Sequence, residues 1–364
     1  MKVLQAIVGI PKAAGTSVFC AELSNALAVT GQDVTIAVVN PLDGDRYLID
    51  PRVKLVAIAD LFHSVSAQRS HPAFDLVHIH ALWSPVLHRV ARWARASGLP
   101  VVWSPHGMIT PWAMNNKRLK KLLGWYLYQK KDLECAALLH ATAESEVDDI
   151  RRMGLRNPIV VAPLGVRIVR DERVKKDGGK RTLLFVSRVQ RKKGLPNLVE
   201  AWSRIPKEIR NGWQVRIVGP DQDNHTTELK EKCELAGVRG EFDFVGPKFG
   251  NELAAEYAAA DLFVLPTHSE NFGAVVVESL VRGVPVICTK GAPWKELETV
   301  RCGRWIDIGV EPLVSALTEL MSLSDAERHE MGARGRELAE KKYSWPAVCQ
   351  KMVEGYERLR TAET

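Results

Sequence analysis

Two carboxylates, Glu270 and Glu278, stand with seven residues between them in the stretch 266–279, PTHSENFGAVVVES. Ionised carboxylates only accept hydrogen bonds, so such a pair suits vicinal hydroxyls. Between them, Asn271, Phe272, Gly273 and Ala274 lead into an apolar segment. The free N–H groups of a first helical turn there can meet an anion or a sugar oxygen, and Gly273 permits close approach. A second group occupies 187–194, SRVQRKKG, where Ser187 and Arg188 precede Arg191, Lys192 and Lys193. Arginine offers a forked donor set and lysine a movable point charge, the combination a phosphate needs. Each feature has a bland reading: a carboxylate drawn to a helix dipole, a solvated basic loop. Together they describe a pocket for a diphosphate flanked by hydroxylated rings, which is a nucleotide sugar.

Alternating strand and helix signals position these groups. Residues 262–265 are a short apolar run closed by Pro266, a buried strand, and the helix that follows is expected to carry Glu278 about two turns in. The basic loop follows a strand at 183–186 and precedes a helix at 195–204. Further strands are expected at 215–218, 242–245 and 284–288. In the first half, strands at 3–8, 34–39, 76–79, 101–103, 137–143 and 159–162 alternate with helices. The strand at 101–103 runs into Ser104-Pro105-His106-Gly107, and ligands of parallel sheets sit beyond such carboxyl ends, so His106 is a candidate. His78 and His80 share a strand face without a third ligand at a metal-binding spacing. The segment 167–181 is dense in charge and carries Gly178-Gly179. The expectation is an α/β chain of two facing doubly wound domains, 1–166 and 182–345, joined by this linker across an interdomain cleft, the last helix, 346–364, packing back on the first.

With 364 residues, a net charge of +7 and a pI near 9.0, the chain has room for two cores and favours an acidic partner. Six scattered cysteines without C-x-x-C spacing fit a reducing cytosol. No stretch reaches membrane-spanning length without charges. Residues 111–131, PWAMNNKRLKKLLGWYLYQKK, combine Trp112 and other apolar and aromatic residues with Lys117, Arg118, Lys120 and Lys121. They read either as one amphipathic helix on an anionic membrane surface or as a core-packed helix with a solvated basic edge.

Arg188-x-x-x-x-Lys193-Gly194 followed by the two spaced glutamates resembles the donor site of retaining glycosyltransferases of family 4, with the GT-B fold. The likeness extends to Gly15, Pro105-His106-Gly107, Pro163-Leu164-Gly165-Val166 and Tyr343-Ser344-Trp345, and from His106 to Trp112 it is similar to bacterial members that build surface polysaccharides. The resemblance implies that Arg188 and Lys193 neutralise the pyrophosphate of a UDP- or GDP-sugar without a metal or other cofactor, and that Glu278 holds the ribose. It also implies that Glu270 and the backbone of 271–274 hold the donor sugar. His106 would reach that sugar, and Gly15 would lie near phosphate and acceptor. Expected partners are the nucleotide sugar, a glycan or lipid-linked acceptor and the anionic inner-membrane surface, with no nucleic acid, for a cytoplasmic enzyme attached peripherally. In two respects the chain departs from the pattern: Ala14-Gly15 replaces a glycine pair, and Trp294 is bulky for a loop near the pocket. A sugar-nucleotide 2-epimerase and a non-catalytic basic membrane- or RNA-binding protein are the competing readings.

Overall fold

The computed structural model describes residues 1–10, 15–41, 49–64, 74–168 and 179–361. Residues 11–14 of the first loop, most of the expected linker and the last three residues of the expected final helix lie outside them.

Two parallel sheets form, one in each of two compact units. The first unit, Met1–Gly165 with Trp345–Thr364, holds β1 (Lys2–Ala6), β2 (Asp33–Val38), β3 (Lys54–Ala57), β4 (Leu76–His80), β5 (Val101–Ser104), β6 (Leu138–Ala141) and β7 (Ile159–Val161). Their spatial order is β3-β2-β1-β4-β5-β6-β7, so the direction of winding reverses between β1 and β4. The second unit, Val166–Ser344, holds β8 (Arg181–Val186), β9 (Trp213–Val218), β10 (Phe242–Gly246), β11 (Leu262–Leu265), β12 (Val286–Thr289) and β13 (Gly303–Ile306). Here the order is β10-β9-β8-β11-β12-β13, with the reversal between β8 and β11. Strands flanked by helices on both faces read as continuous apolar runs, and β5, β11 and β12 are buried along their whole length. The crevice beyond the carboxyl ends at such a reversal is where doubly wound sheets take ligands. In the second unit the loops at that point are 187–194, after β8, and 266–273, after β11.

Three local readings need correction. Strands β3 and β13 escape the sequence pattern because they are four-residue edges, only partly buried, and β13 carries Arg304. Glu278 is the fifth residue of the helix Ala274–Val281, one turn in, because the αL glycine Gly273 starts the helix late. The stretch 111–131 is not one helix. Thr110 caps a short helix Pro111–Asn115, Lys117 breaks it at φ +55°, and a second run begins at Arg118, passing through a π-helical turn at Trp125–Gln129.

The helix Trp345–Thr361 belongs to the first unit's core, where Val348, Cys349, Met352 and Tyr356 are fully buried in a cluster with Phe19, Leu23 and Leu27 of the helix Gly15–Val29. Truncating a buried methionine in such a cluster removes transfer energy and leaves a cavity. Met352→Ala is expected to cost about 2–5 kcal/mol, seen as a lower urea midpoint for loss of the first unit's tertiary signal; an unchanged midpoint would contradict this packing.

Candidate active site

In the second unit, the basic loop and the acidic loop are stitched together. Gly194, at φ +71°, ends a 3₁₀ turn, Arg191–Lys193, and lies so close to β11 that a Cβ there would sit 1.9 Å from the Pro266 carbonyl oxygen. Only glycine tolerates both the angle and the approach. The Lys192 carbonyl accepts from the His268 N–H at 2.9 Å and the Thr267 hydroxyl at 3.2 Å. This brings the Lys193 ammonium onto the Glu270 carboxylate in an ion pair whose side chains are 10% and 17% exposed. The Glu270 N–H donates to the Gly291 carbonyl at 2.7 Å, which fixes the acidic loop from its other side. Arg188 is exposed and bonds Gln222 at 3.3 Å, while Arg191 turns away to Glu228. Ser187 donates its N–H to the Val218 carbonyl.

The acidic loop ends in the helix Ala274–Val281, whose N-terminus has no side-chain cap among the described residues. Its first-turn N–H groups at Ala274 and Val275 are therefore oriented donors at the positive end of a helix. Phe272 turns inward: its ring packs 5.1 Å from Trp294 and 5.8 Å from Tyr343, and its carbonyl accepts from Trp294 Nε1 at 2.6 Å. Trp294 is fully buried, so its bulk lies under the acidic loop as a support. Glu278 is not bonded to either loop; it receives the Tyr257 hydroxyl at 2.8 Å, and Arg282 lies over the Tyr257 ring.

In the first unit, His106 follows β5 at φ +53° and retains partial exposure. Ala81 and Trp83, just past β4, also have positive φ, so strained residues gather at the carboxyl ends of neighbouring strands. The Gly107 N–H donates to the buried Glu146 carboxylate, which also accepts the Thr142 N–H and hydroxyl, both at 2.8 Å. Gly15 begins the helix Gly15–Val29; a Cβ there would meet nothing within 4 Å among the described residues, so packing does not require its small size. No three His, Cys, Asp or Glu side chains are arranged to hold a metal among the described residues.

The model of the family described as "Glycosyl transferase 4-like domain" matches residues 14–165, and that described as "Glycosyl transferases group 1" matches residues 167–338. The chain is a glycosyltransferase of the family 4 type, with the GT-B fold. It is 27% identical over 395 aligned residues to a D-inositol 3-phosphate glycosyltransferase of Xylanimonas cellulosilytica, covering 96% of this chain and 92% of that one. Its fold is similar to that of HepE of Anabaena, solved in complex with UDP (TM-score 0.77, 16% identity, 98% and 100% of the two chains). It is likewise similar to WaaG, a glycosyltransferase involved in lipopolysaccharide biosynthesis (TM-score 0.67, 18% identity, 97% and 100%). As a glycosyltransferase it uses a nucleotide-sugar donor.

Burial raises the Glu278 carboxyl of this glycosyltransferase above the ordinary range, while the Tyr257 hydroxyl and Arg282 hold it back. Burial likewise raises Glu146 against its three hydrogen bonds. Tyr257, Glu146 and Trp294 are the positioning residues that the sequence alone does not reveal as such. The residues they support, Glu278, Gly107 and Phe272, lie 21, 39 and 22 residues away, beyond any local pattern.

If the Gly194 contact holds the basic loop against the acidic one, Gly194→Ala must part them. The expected outcome is a loss of about 1–3 kcal/mol of stability from strain at positive φ, together with weakened nucleoside diphosphate binding in calorimetry. Unchanged affinity would show that the contact does not shape the site.

Proposed function

We propose that this glycosyltransferase moves a sugar from a UDP- or GDP-sugar to a hydroxyl of a lipid-linked glycan, with retention of anomeric configuration and without a metal, in the synthesis of bacterial surface polysaccharide. The carrying observation is the Lys193–Glu270 pair beside the uncapped helix end at the β8/β11 reversal. As the nucleoside diphosphate departs, negative charge grows on its phosphates, and preorganised cations and backbone donors are the groups that stabilise it. Lys193 and Arg188 take the phosphates with the Ala274 and Val275 N–H groups. Glu270 holds the donor sugar, Glu278 accepts from the ribose hydroxyls through the oxygen that Tyr257 leaves open, and His106 meets the transferring sugar. Because Lys193 engages its carboxylate, Glu270 serves better as a binding group than as a covalent nucleophile, which favours same-face attack within a short-lived ion pair.

The lipid-linked acceptor is supported by the surface around Arg118–Gly124. Leu119, Leu122, Leu123, Tyr126 and Leu127 recur at helical intervals and all are exposed, Leu119 at 83%, with Lys117, Arg118 and Lys120 beside them. Trp112 is exposed as well, whereas Lys121 is drawn back onto the Ala113 carbonyl and the Trp83 ring. An apolar stripe flanked by cations is complementary to an anionic lipid surface. A second reading, a soluble phosphorylated cyclitol as acceptor, is favoured by the name of the Xylanimonas relative, which aligns along almost the whole chain.

Incubation with UDP- and GDP-sugars and each acceptor class, in chelator, with the product anomer read by NMR, tests the proposal. Nucleoside diphosphate released with an α-product from an α-donor is expected; isomerised donor without transfer would favour an epimerase. Arg188→Ala should lower kcat about 100-fold, and His106→Ala should lower kcat with little change in donor affinity. Glu278 accepts hydroxyls most strongly when ionised, so donor affinity is full above its raised pKa and falls as pH drops through it. Tyr257→Phe removes a bond that favours the ionised form, so the fall moves to higher pH; an unmoved profile excludes Glu278 from donor binding. Vesicles containing anionic lipid should retain the enzyme at low salt and release it at high salt. Leu119→Glu with Leu123→Glu should abolish retention, and binding indifferent to both changes would remove the membrane from the account.

A further inference from the structure

Beneath His106 lies a buried hydrogen-bonded chain of neutral side chains. Burial, reinforced by neighbouring imidazoles, holds His78, His80 and His106 well below the usual imidazole range, and burial brings His140 down to about 4. A neutral imidazole has one N–H and one lone pair, so each hydrogen bond fixes the next. The chain has a fixed end: His140 Nε2 faces the Ala162 carbonyl at 2.7 Å, which only accepts. His140 Nδ1 is then an acceptor, and the Ser104 hydroxyl donates to it at 2.6 Å. With its proton committed, Ser104 accepts from His78 Nε2 at 2.6 Å, which leaves His78 Nδ1 to accept from the Tyr356 hydroxyl, also at 2.6 Å.

Tyr356 has then spent its proton on His78. The Gln5 amide is oriented by its bonded end: its nitrogen has no hydrogen-bond partner among the described residues, whereas its oxygen has one. That oxygen faces His80 Nε2 at 2.6 Å and accepts from it, so His80 Nδ1 is an acceptor. His106 Nε2 lies 3.0 Å from that nitrogen, the two rings 20° from coplanar, and must donate. Phe19 closes the side of the network, its ring 5.0 Å from His106 and 5.3 Å from His140.

We propose that Gln5 and His80 are positioning residues that hold the His106 proton on Nε2 and present its Nδ1 lone pair as a fixed acceptor for a hydroxyl of the transferring sugar. The assignment rests on the reading of His106 given above. In this arrangement His106 is neither the acid nor the base of the transfer; it is an oriented acceptor, locked through His80 by the Gln5 carbonyl.

The test is a two-bond ¹H–¹⁵N correlation spectrum of the histidine-labelled full chain, assigned by substitution, between pH 6 and 8. His106 is expected as the neutral Nε2–H tautomer throughout; an Nδ1–H tautomer or an imidazolium in this range overturns the proposal. Gln5→Met removes the acceptor and frees the His80 ring to reverse, so His106 should shift to Nδ1–H or a mixture. Its kcat should fall roughly tenfold, with donor KM within about twofold. Met352→Ala, which loosens the same core without removing a hydrogen-bonding group, should keep the tautomer, so a tautomer change there would assign the effect to general loosening and overturn the proposal. A Gln5→Met enzyme with altered tautomer and full kcat would overturn the catalytic half. Full activity of His106→Ala beside the expected wild-type spectrum would instead refute the role given to His106.

Discussion

The two loops at the reversal of the second unit meet around a nearly buried lysine. Lys193 is nearly buried, and an ammonium taken out of water without a partner loses several kcal/mol of solvation. Glu270 supplies the partner, and everything that brings the two together is strict: the positive φ of Gly194, its contact with Pro266, and the two bonds to the Lys192 carbonyl. The pair stands at the β8/β11 reversal, where loops from opposite directions of winding diverge, the place at which doubly wound sheets take ligands. In the proposed function, an arriving diphosphate would offer Lys193 a second anion and leave Glu270 an acceptor for hydroxyls, so the resting interaction would prepare both halves of the ligand.

The same logic of satisfied burial runs through the supports. Glu278 is held by a buried tyrosine, the His106 turn by a buried glutamate, and the acidic loop by a buried tryptophan. Each of these three bonds the residue it supports across more than twenty residues of sequence. They hold their neighbours because a buried polar atom without a partner is costly, which gives each interaction a defined geometry.

What the sequence makes legible follows from this. Strand β11 and the helix Leu195–Arg204 can be read to the residue, because an apolar run closed by proline or opened by glycine is a local signal. Lys193 and Glu270 stand out as chemistry-bearing types in loops, but their pairing does not, being 77 residues apart. The short edge strand β3 runs straight into a helix at Ile58, so its apolar residues carry no local signal of where the strand ends, and the break at Lys117 is invisible because lysine is ordinarily a good helix former. The exposed stripe from Leu119 to Leu127 looks in sequence like any core-facing helix side; only its exposure in the fold distinguishes it. His78 and His80, seen in sequence as two histidines on one strand face, gain meaning only with Gln5, His106 and Tyr356 beside them.

A crystal structure of the protein with a bound nucleoside diphosphate tests the central claim most directly. The account predicts the terminal phosphate within about 3 Å of Lys193 Nζ and of a first-turn N–H at Ala274 or Val275, with Glu270 freed on its sugar-facing side. A diphosphate seated elsewhere, with Lys193 and Glu270 still bonded only to each other, would contradict it.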